Sequence, residues 1–261
     1  MDYAVVFIFG AVIGSFLSVC IYRIPLGRSI VRPRSFCPVC KHPIRWFDNV
    51  PLVSFLLLGG RCRHCGEKIS LRYFFVELLT AVSGTVLLFY SSDYAGFLIY
   101  WFFTCILIVV AFIDIERRLI PDIFSIPGIF AGLVLSAFFS TGSAVFSAAA
   151  LKDSLIGVLA GGGSMYLMGV LGEMAFKEKA KKAGGAVGGG DVKLMAMIGA
   201  FMGWKLALVT FFLAPVLGAA AGLYVLLKRK QDIIPYGPFL ALGAFISLLY
   251  GDNILSFLFG F

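Results

Sequence analysis

Long apolar runs separated by short polar breaks dominate the chain. The runs cover, approximately, residues 3–22, 74–91, 96–113, 123–139, 154–176, 192–204, 206–227 and 237–258. Most approach the ~20 residues that an α-helix needs to cross ~30 Å of hydrocarbon. The run at 192–204 is short, so it reads as a half-helix or as a span lengthened at its ends. The pattern predicts an all-α polytopic membrane protein with about eight transmembrane helices.

One polar stretch is long enough to form a domain. Residues 23–72 shift to Arg, Pro and Cys. The expected organisation is therefore a first transmembrane helix (1–22), a cysteine domain (23–72) and a helical membrane domain (73–261). The stretch Gly184-Gly185-Ala186-Val187-Gly188-Gly189-Gly190 reads as a flexible connection just before a span.

Composition supports the membrane reading. Hydrophobic residues make up 60% of the 261 positions and charged residues only 14%. Soluble domains are about 45–50% apolar and about 25% charged. So few polar groups leave lipid as the solvent for much of the surface. The first run opens with Asp2 rather than a basic stretch, and no small-x-small site follows it, so it reads as a retained span rather than a cleaved signal.

The net charge is +8, and its distribution argues for basic loops rather than a nucleic-acid surface. Ten Lys and Arg lie in 23–72. Arg117, Arg118, Lys177, Lys179, Lys181, Lys182, Lys193, Lys228, Arg229 and Lys230 fill the other loops of the same side. Only Lys152 and Lys205 fall opposite. By the positive-inside rule, the basic loops and cysteine domain are cytoplasmic, and an even number of crossings puts both termini on the other side.

Two features carry chemistry. Cys37-Pro-Val-Cys40 and Cys62-Arg-His-Cys65 are CxxC pairs separated by 21 residues, each with Ile seven residues after its first Cys. The gap is slightly longer than the ~15–20 common in zinc modules, but the internal likeness suggests two facing knuckles. Four thiolates close a tetrahedral zinc site, so the expected metal is structural, and it clips together a domain too small for much core. Disulfides are the rival, and a reducing cytoplasm opposes them. His42 and His64 read as loop residues. Cys20 and Cys105 read as small core residues.

Acidic residues at membrane depth are costly and ask for a reason. Asp114 ends one run, in Phe112-Ile113-Asp114-Ile115-Glu116-Arg117-Arg118, and Asp191 follows Gly188-Gly189-Gly190. Both fall at the cytoplasmic ends of spans. Two carboxylates sharing one proton form an aspartyl-protease dyad. Glycines before Asp191 would let backbone approach an extended substrate. The alternative is that each caps a helix or pairs with a nearby Arg; Asp191, just before Val192, is an ordinary N-cap candidate. Glu116 and Asp122 read as interfacial ion pairs.

These segments together resemble the bacterial type IV prepilin peptidases, a family of GxGD intramembrane aspartyl proteases. GSFLSVCIYRIP (14–25), RSFCPVC, DNVPLVS and GRCRHCGEKISLRYFFVE (60–77) are similar to its opening motif and cysteine domain. FIDIERRLIPD (112–122) and GGGDVKLMAMIGAFMGW (188–204) are similar to its two catalytic segments. The likeness spans nearly the whole chain. It implies a membrane endopeptidase of the bacterial inner membrane. The enzyme would cut the leader of prepilins or pseudopilins of type IV pili and type II secretion, with Asp114 and Asp191 catalytic. It also implies methylation of the new N-terminal residue with S-adenosylmethionine, and it links Gly60 to that transfer. Two departures stand out: Ser18 where the family usually has Asn, and Gly59-Gly60-Arg61 where Arg-Gly-Arg is common. The second lies beside Gly60, so a peptidase without methyl transfer is the nearest alternative. A transporter subunit with a zinc-stabilised loop is a rival of another class, opposed by the lack of charge near the middle of the apolar runs.

Overall fold

The computed structural model describes residues 2–139, 145–175, 187–228 and 235–260. The basic loop residues Lys177, Lys179, Lys181, Lys182, Arg229 and Lys230, and Gly184 to Ala186, lie outside the described residues. Helices make up most of the described residues, and seven of them are long and apolar enough to cross a membrane. The chain divides into two units, Met1–Ser91 and Ser92–Phe261.

In the first unit, α1 (Tyr3–Arg23) and α3 (Leu71–Tyr90) pack face to face, and a short α2 (Val53–Leu57) lies in the polar stretch between them. Asp2 caps α1 by accepting the Ala4 N–H, and Ser70 caps α3 by accepting the Arg72 N–H. Gly10 and Gly14, four residues apart, bring the backbones together. A Cβ on either would stand 2.6 Å from a Cα of α3, that of Ala81 or of Glu77. Small residues at this spacing are what close helix pairs in lipid require. The opposite face of α1 exposes Ile8, Phe9, Val12 and Phe16, which suits contact with acyl chains. At the end of α1 the buried Arg23 guanidinium donates to the carbonyls of Ser29 and Pro33 and so folds the following chain back onto the helix.

The second unit contains α4 (Tyr94–Arg117), α5 (Asp122–Phe139), α6 (Ala148–Ala175), α7 (Gly189–Lys228) and α8 (Gly237–Phe259). Its core gathers Phe103, Leu107, Met165, Met195, Phe201 and Leu240, with the Phe103 and Phe201 rings stacked at 4.6 Å.

The eight apolar runs meet the seven long helices at α7. The runs at 192–204 and 206–227 are two arms of this one element, broken at Gly203 (φ 73°, ψ 175°). The first arm lies antiparallel to α6, with Met195 beside Gly161 and Gly199 beside Gly157. The second lies antiparallel to α8, with Gly218 against Tyr236 and Leu206 against Gly251. Asp191, near the start of the first arm, and Gly218, far along the second, thus both lie near Tyr236. The chain therefore doubles back at Gly203. A break of this kind strips the preceding carbonyls of their helical donors. Ala200 is resupplied by the hydroxyls of Ser136, at 3.1 Å, and Ser154.

A four-thiol module and a pair of neighbouring carboxylates

The two CxxC segments fold alike. Cys37 N–H donates to His42 O and Lys41 N–H to Cys37 O; in the second knuckle Cys62 N–H donates to Glu67 O and Gly66 N–H to Cys62 O. Lys41 (φ 60°) and Gly66 (φ 70°) take the same left-handed turn position. Phe36 pairs with Pro43 as Arg61 pairs with Lys68. The repeat noticed between Ile44 and Ile69 is thus a repeat of backbone geometry: their N–H groups reach Ser35 O and Gly60 O respectively.

The turns point four thiols at one centre. The sulfurs of Cys37, Cys40, Cys62 and Cys65 all lie within 4.8 Å of one another, and the Cys37–Cys65 pair is 3.8 Å apart. Four sulfurs about 2.3 Å from one ion would sit about 3.8 Å apart, so the cluster fits a tetrahedral metal. None of the four is in a disulfide. The backbone N–H groups of Cys65 and then His64 lower the Cys62 thiol pKa, while that of its neighbour Cys65 is shifted the other way by burial and by the thiols around it. His42 and His64 stack at 4.2 Å across the two knuckles, and neither ring joins the cluster.

Polar contacts tie the module to its surroundings within the first unit. Arg63 grips the Asp48 carboxylate through Nε and Nη2, a pairing that pushes the guanidinium pKa up further. Leu52, in a left-handed conformation (φ 59°), donates its N–H to the buried Glu77 carboxylate at 2.8 Å. Glu77 was not singled out from the sequence, because it follows the aromatic run Tyr73-Phe74-Phe75 and looks like an interfacial charge.

Gly60 sits at the root of the second knuckle with φ 65°. Its N–H donates to Phe55 O, and a Cβ there would stand 2.9 Å from the Phe55 ring. These contacts are a packing reason for glycine at this position.

In the second unit Asp114 lies in the last turn of α4, 6% exposed. Arg118 ends that helix in a left-handed turn, its N–H on Asp114 O. Asp191 lies in the first turn of α7, where its N–H closes a turn onto Gly188 O. The two carboxylates are near enough for the charge of one to bear on the other. Neither is in an ion pair with a described arginine. Asp122 instead pairs at the surface with Lys193 of α7 at 2.7 Å.

Two neighbours escaped the sequence reading. The Gly237 N–H, at the start of α8, donates to Asp114 Oδ2 at 2.9 Å. Beside it the Tyr236 hydroxyl is buried without a hydrogen-bond partner among the described residues. Burial, and then the charge of Asp191, push this hydroxyl up to about 12, so it keeps its proton. The available signal was Pro235-Tyr236-Gly237-Pro238 at the head of the last apolar run, a helix start with Pro in its first turn.

Fold and sites together define a polytopic, helical membrane protein with a four-cysteine module and two neighbouring aspartates. Residues 8–91 match the bacterial peptidase A24 N-terminal domain, and residues 101–223 match the type IV leader peptidase family. A protein of Aeromonas hydrophila called prepilin leader peptidase/N-methyltransferase is 36% identical over 282 residues, covering 97% of this chain and 92% of its own. Proteins of the same description from Pseudomonas aeruginosa (36%; 94% and 89% covered) and Legionella pneumophila (32%; 99% and 95% covered) are similar along their length. The chain belongs to the type IV leader peptidase family. No solved structure matches it.

Proposed function

We propose that the protein is a bifunctional inner-membrane enzyme. It cleaves the leader of type IV prepilins or pseudopilins at the cytoplasmic membrane face, using Asp114 and Asp191, and then N-methylates the exposed residue. The observation that carries this reading is the approach of the buried Asp114, at the end of α4, and the half-buried Asp191, at the start of α7, in a chain akin to prepilin peptidases over almost its whole length.

Hydrolysis needs one carboxylate ionised and one protonated, as two close acids sharing a proton arrange. Water bonds to the scissile carbonyl carbon while its proton passes to the ionised aspartate. The protonated aspartate gives its proton to the carbonyl oxygen, and a gem-diol forms. On collapse one hydroxyl returns its proton to the second aspartate, the first aspartate protonates the nitrogen, and the C–N bond breaks. Both acids regain their starting states. A prepilin suits this geometry, because its basic leader stays in water and its apolar helix stays in lipid, with the scissile bond between them.

Cys37, Cys40, Cys62 and Cys65 would hold zinc. Four thiolates close its coordination, so it stabilises the module rather than activating water. S-adenosylmethionine would supply the methyl group. Gly60 belongs to this proposal through the family resemblance alone.

The test uses purified enzyme and a prepilin. Asp114→Ala and Asp191→Ala should each abolish leader release, read by gel shift, while product from the wild type gains 14 Da per methyl group by mass spectrometry. Full cleavage by either variant would remove the dyad.

A further inference from the structure

The first turn of a helix offers backbone N–H groups that no helical carbonyl can take. In α8 each can be traced. Phe239 and Leu240 both donate to Tyr236 O, at 3.0 and 3.2 Å. Pro238 has no N–H. That leaves Gly237, and its N–H goes to Asp114 Oδ2. The one first-turn donor that this helix leaves free is spent on a carboxylate 123 positions earlier in the chain.

The approach also demands glycine. A Cβ on residue 237 would stand 2.8 Å from Asp114 Oδ2, 3.2 Å from Cγ and 3.3 Å from Cβ. The yielding group would be the aspartate itself, because the backbone of α8 is fixed by the turn just described. Elsewhere on α8 a glycine is not under this constraint: a Cβ on Gly243 meets nothing nearer than 3.5 Å.

We propose that Gly237 is a positioning residue of the peptidase centre, whose backbone N–H fixes the Asp114 carboxylate by one oxygen so that the other faces Asp191 and the substrate water. The proposal rests on the dyad reading. It adds the start of α8 as a third wall of a centre that the family motifs draw from α4 and α7 alone. The sequence Gly237-Pro238 then has a chemical purpose. Proline silences the neighbouring donor, and glycine lets the remaining one come within hydrogen-bond distance.

The experiment compares Gly237→Ala with Gly243→Ala and Asp191→Asn in detergent-purified, full-length enzyme acting on prepilin. For Gly237→Ala, kcat should fall on the order of 10²-fold, the scale expected for misplacing a reacting group by about 1 Å. KM and the thermal midpoint should stay near wild type. Gly243→Ala should keep its kcat. A folded Gly237→Ala enzyme with a wild-type kcat overturns the proposal. If Asp191→Asn is inactive in that same comparison, the dyad survives and only the role of Gly237 is lost. If Asp191→Asn cleaves normally, the dyad itself has failed. Amide hydrogen exchange supplies a reading that does not depend on how well Gly237→Ala folds. In Asp114→Ala the Gly237 amide should lose protection while Phe239 and Leu240 keep theirs, and unchanged protection at Gly237 also overturns the proposal.

Discussion

Single glycines in this protein do different jobs, and their surroundings separate them. Gly60 and Gly66 both have positive φ, which costs an alanine roughly 1–2 kcal/mol. At Gly66 a Cβ would enter open space, whereas at Gly60 it would strike the Phe55 ring. Gly60→Ala should therefore destabilise the cysteine module more than Gly66→Ala does, as read by limited proteolysis of the 23–72 region. Phe55→Leu in the Gly60→Ala background should recover part of the difference. Methyl transfer measured on the same proteins tests the role proposed for Gly60 and divides two forms of it. If activity follows module stability through all three variants, the role is architectural. If Gly60→Ala loses methyl transfer while its module is as resistant as that of Gly66→Ala, Gly60 contacts the reacting groups.

At the scale of elements, α7 shows what periodicity can and cannot reveal. The apolar pattern located both arms and placed their division near residue 205, because composition reports which stretches avoid water. Counting the arms as two crossings implies that they reverse, but the pattern could not say what backbone geometry makes the reversal without an intervening loop. That follows from one backbone conformation at Gly203, and from Ser136 and Ser154 on two other helices supplying donors to Ala200. Asp153 lies against the same glycine, on the spot a side chain would need. Gly203→Ala thus faces left-handed strain of about 1–2 kcal/mol and a displaced carboxylate. It should lower the thermal midpoint of the purified protein, whereas Gly163→Ala, in helical backbone of α6 with open space around it, should leave the midpoint unchanged or raise it. Equal midpoints for the two variants would mean that the break is not held by glycine. The candidate site was legible to the same degree. Asp114, Asp191 and the four cysteines announce themselves by residue type and spacing. Gly237 and Tyr236 do not, because a backbone N–H has no letter in the sequence and the hydroxyl belongs to an ordinary helix-leading tyrosine.

At the scale of the whole molecule, the two chemistries fall in different units. The four thiols belong to Met1–Ser91 and the two carboxylates to Ser92–Phe261. The cores are separate too, since α1 and α3 close on each other through Gly10 and Gly14, while Phe103 and Phe201 lie inside the second unit. Metal binding in a module this small amounts to folding free energy, about 10–16 kcal/mol in isolated zinc peptides, so losing one ligand should unfold it. Cys62→Ser, or a strong chelator, should then make residues 23–72 sensitive to protease and abolish methyl transfer to a pre-cleaved pilin. Leader cleavage should fall much less, because Asp114, Asp191 and Gly237 take their positions from α4, α7 and α8. Acid should act on the metal in the same direction: protons compete for the thiolates, so metal is retained above the thiol titration range and released as pH falls through it. Parallel loss of both activities in Cys62→Ser, with the second unit still melting at its wild-type temperature, would show that prepilin recognition for cleavage also needs the cysteine module.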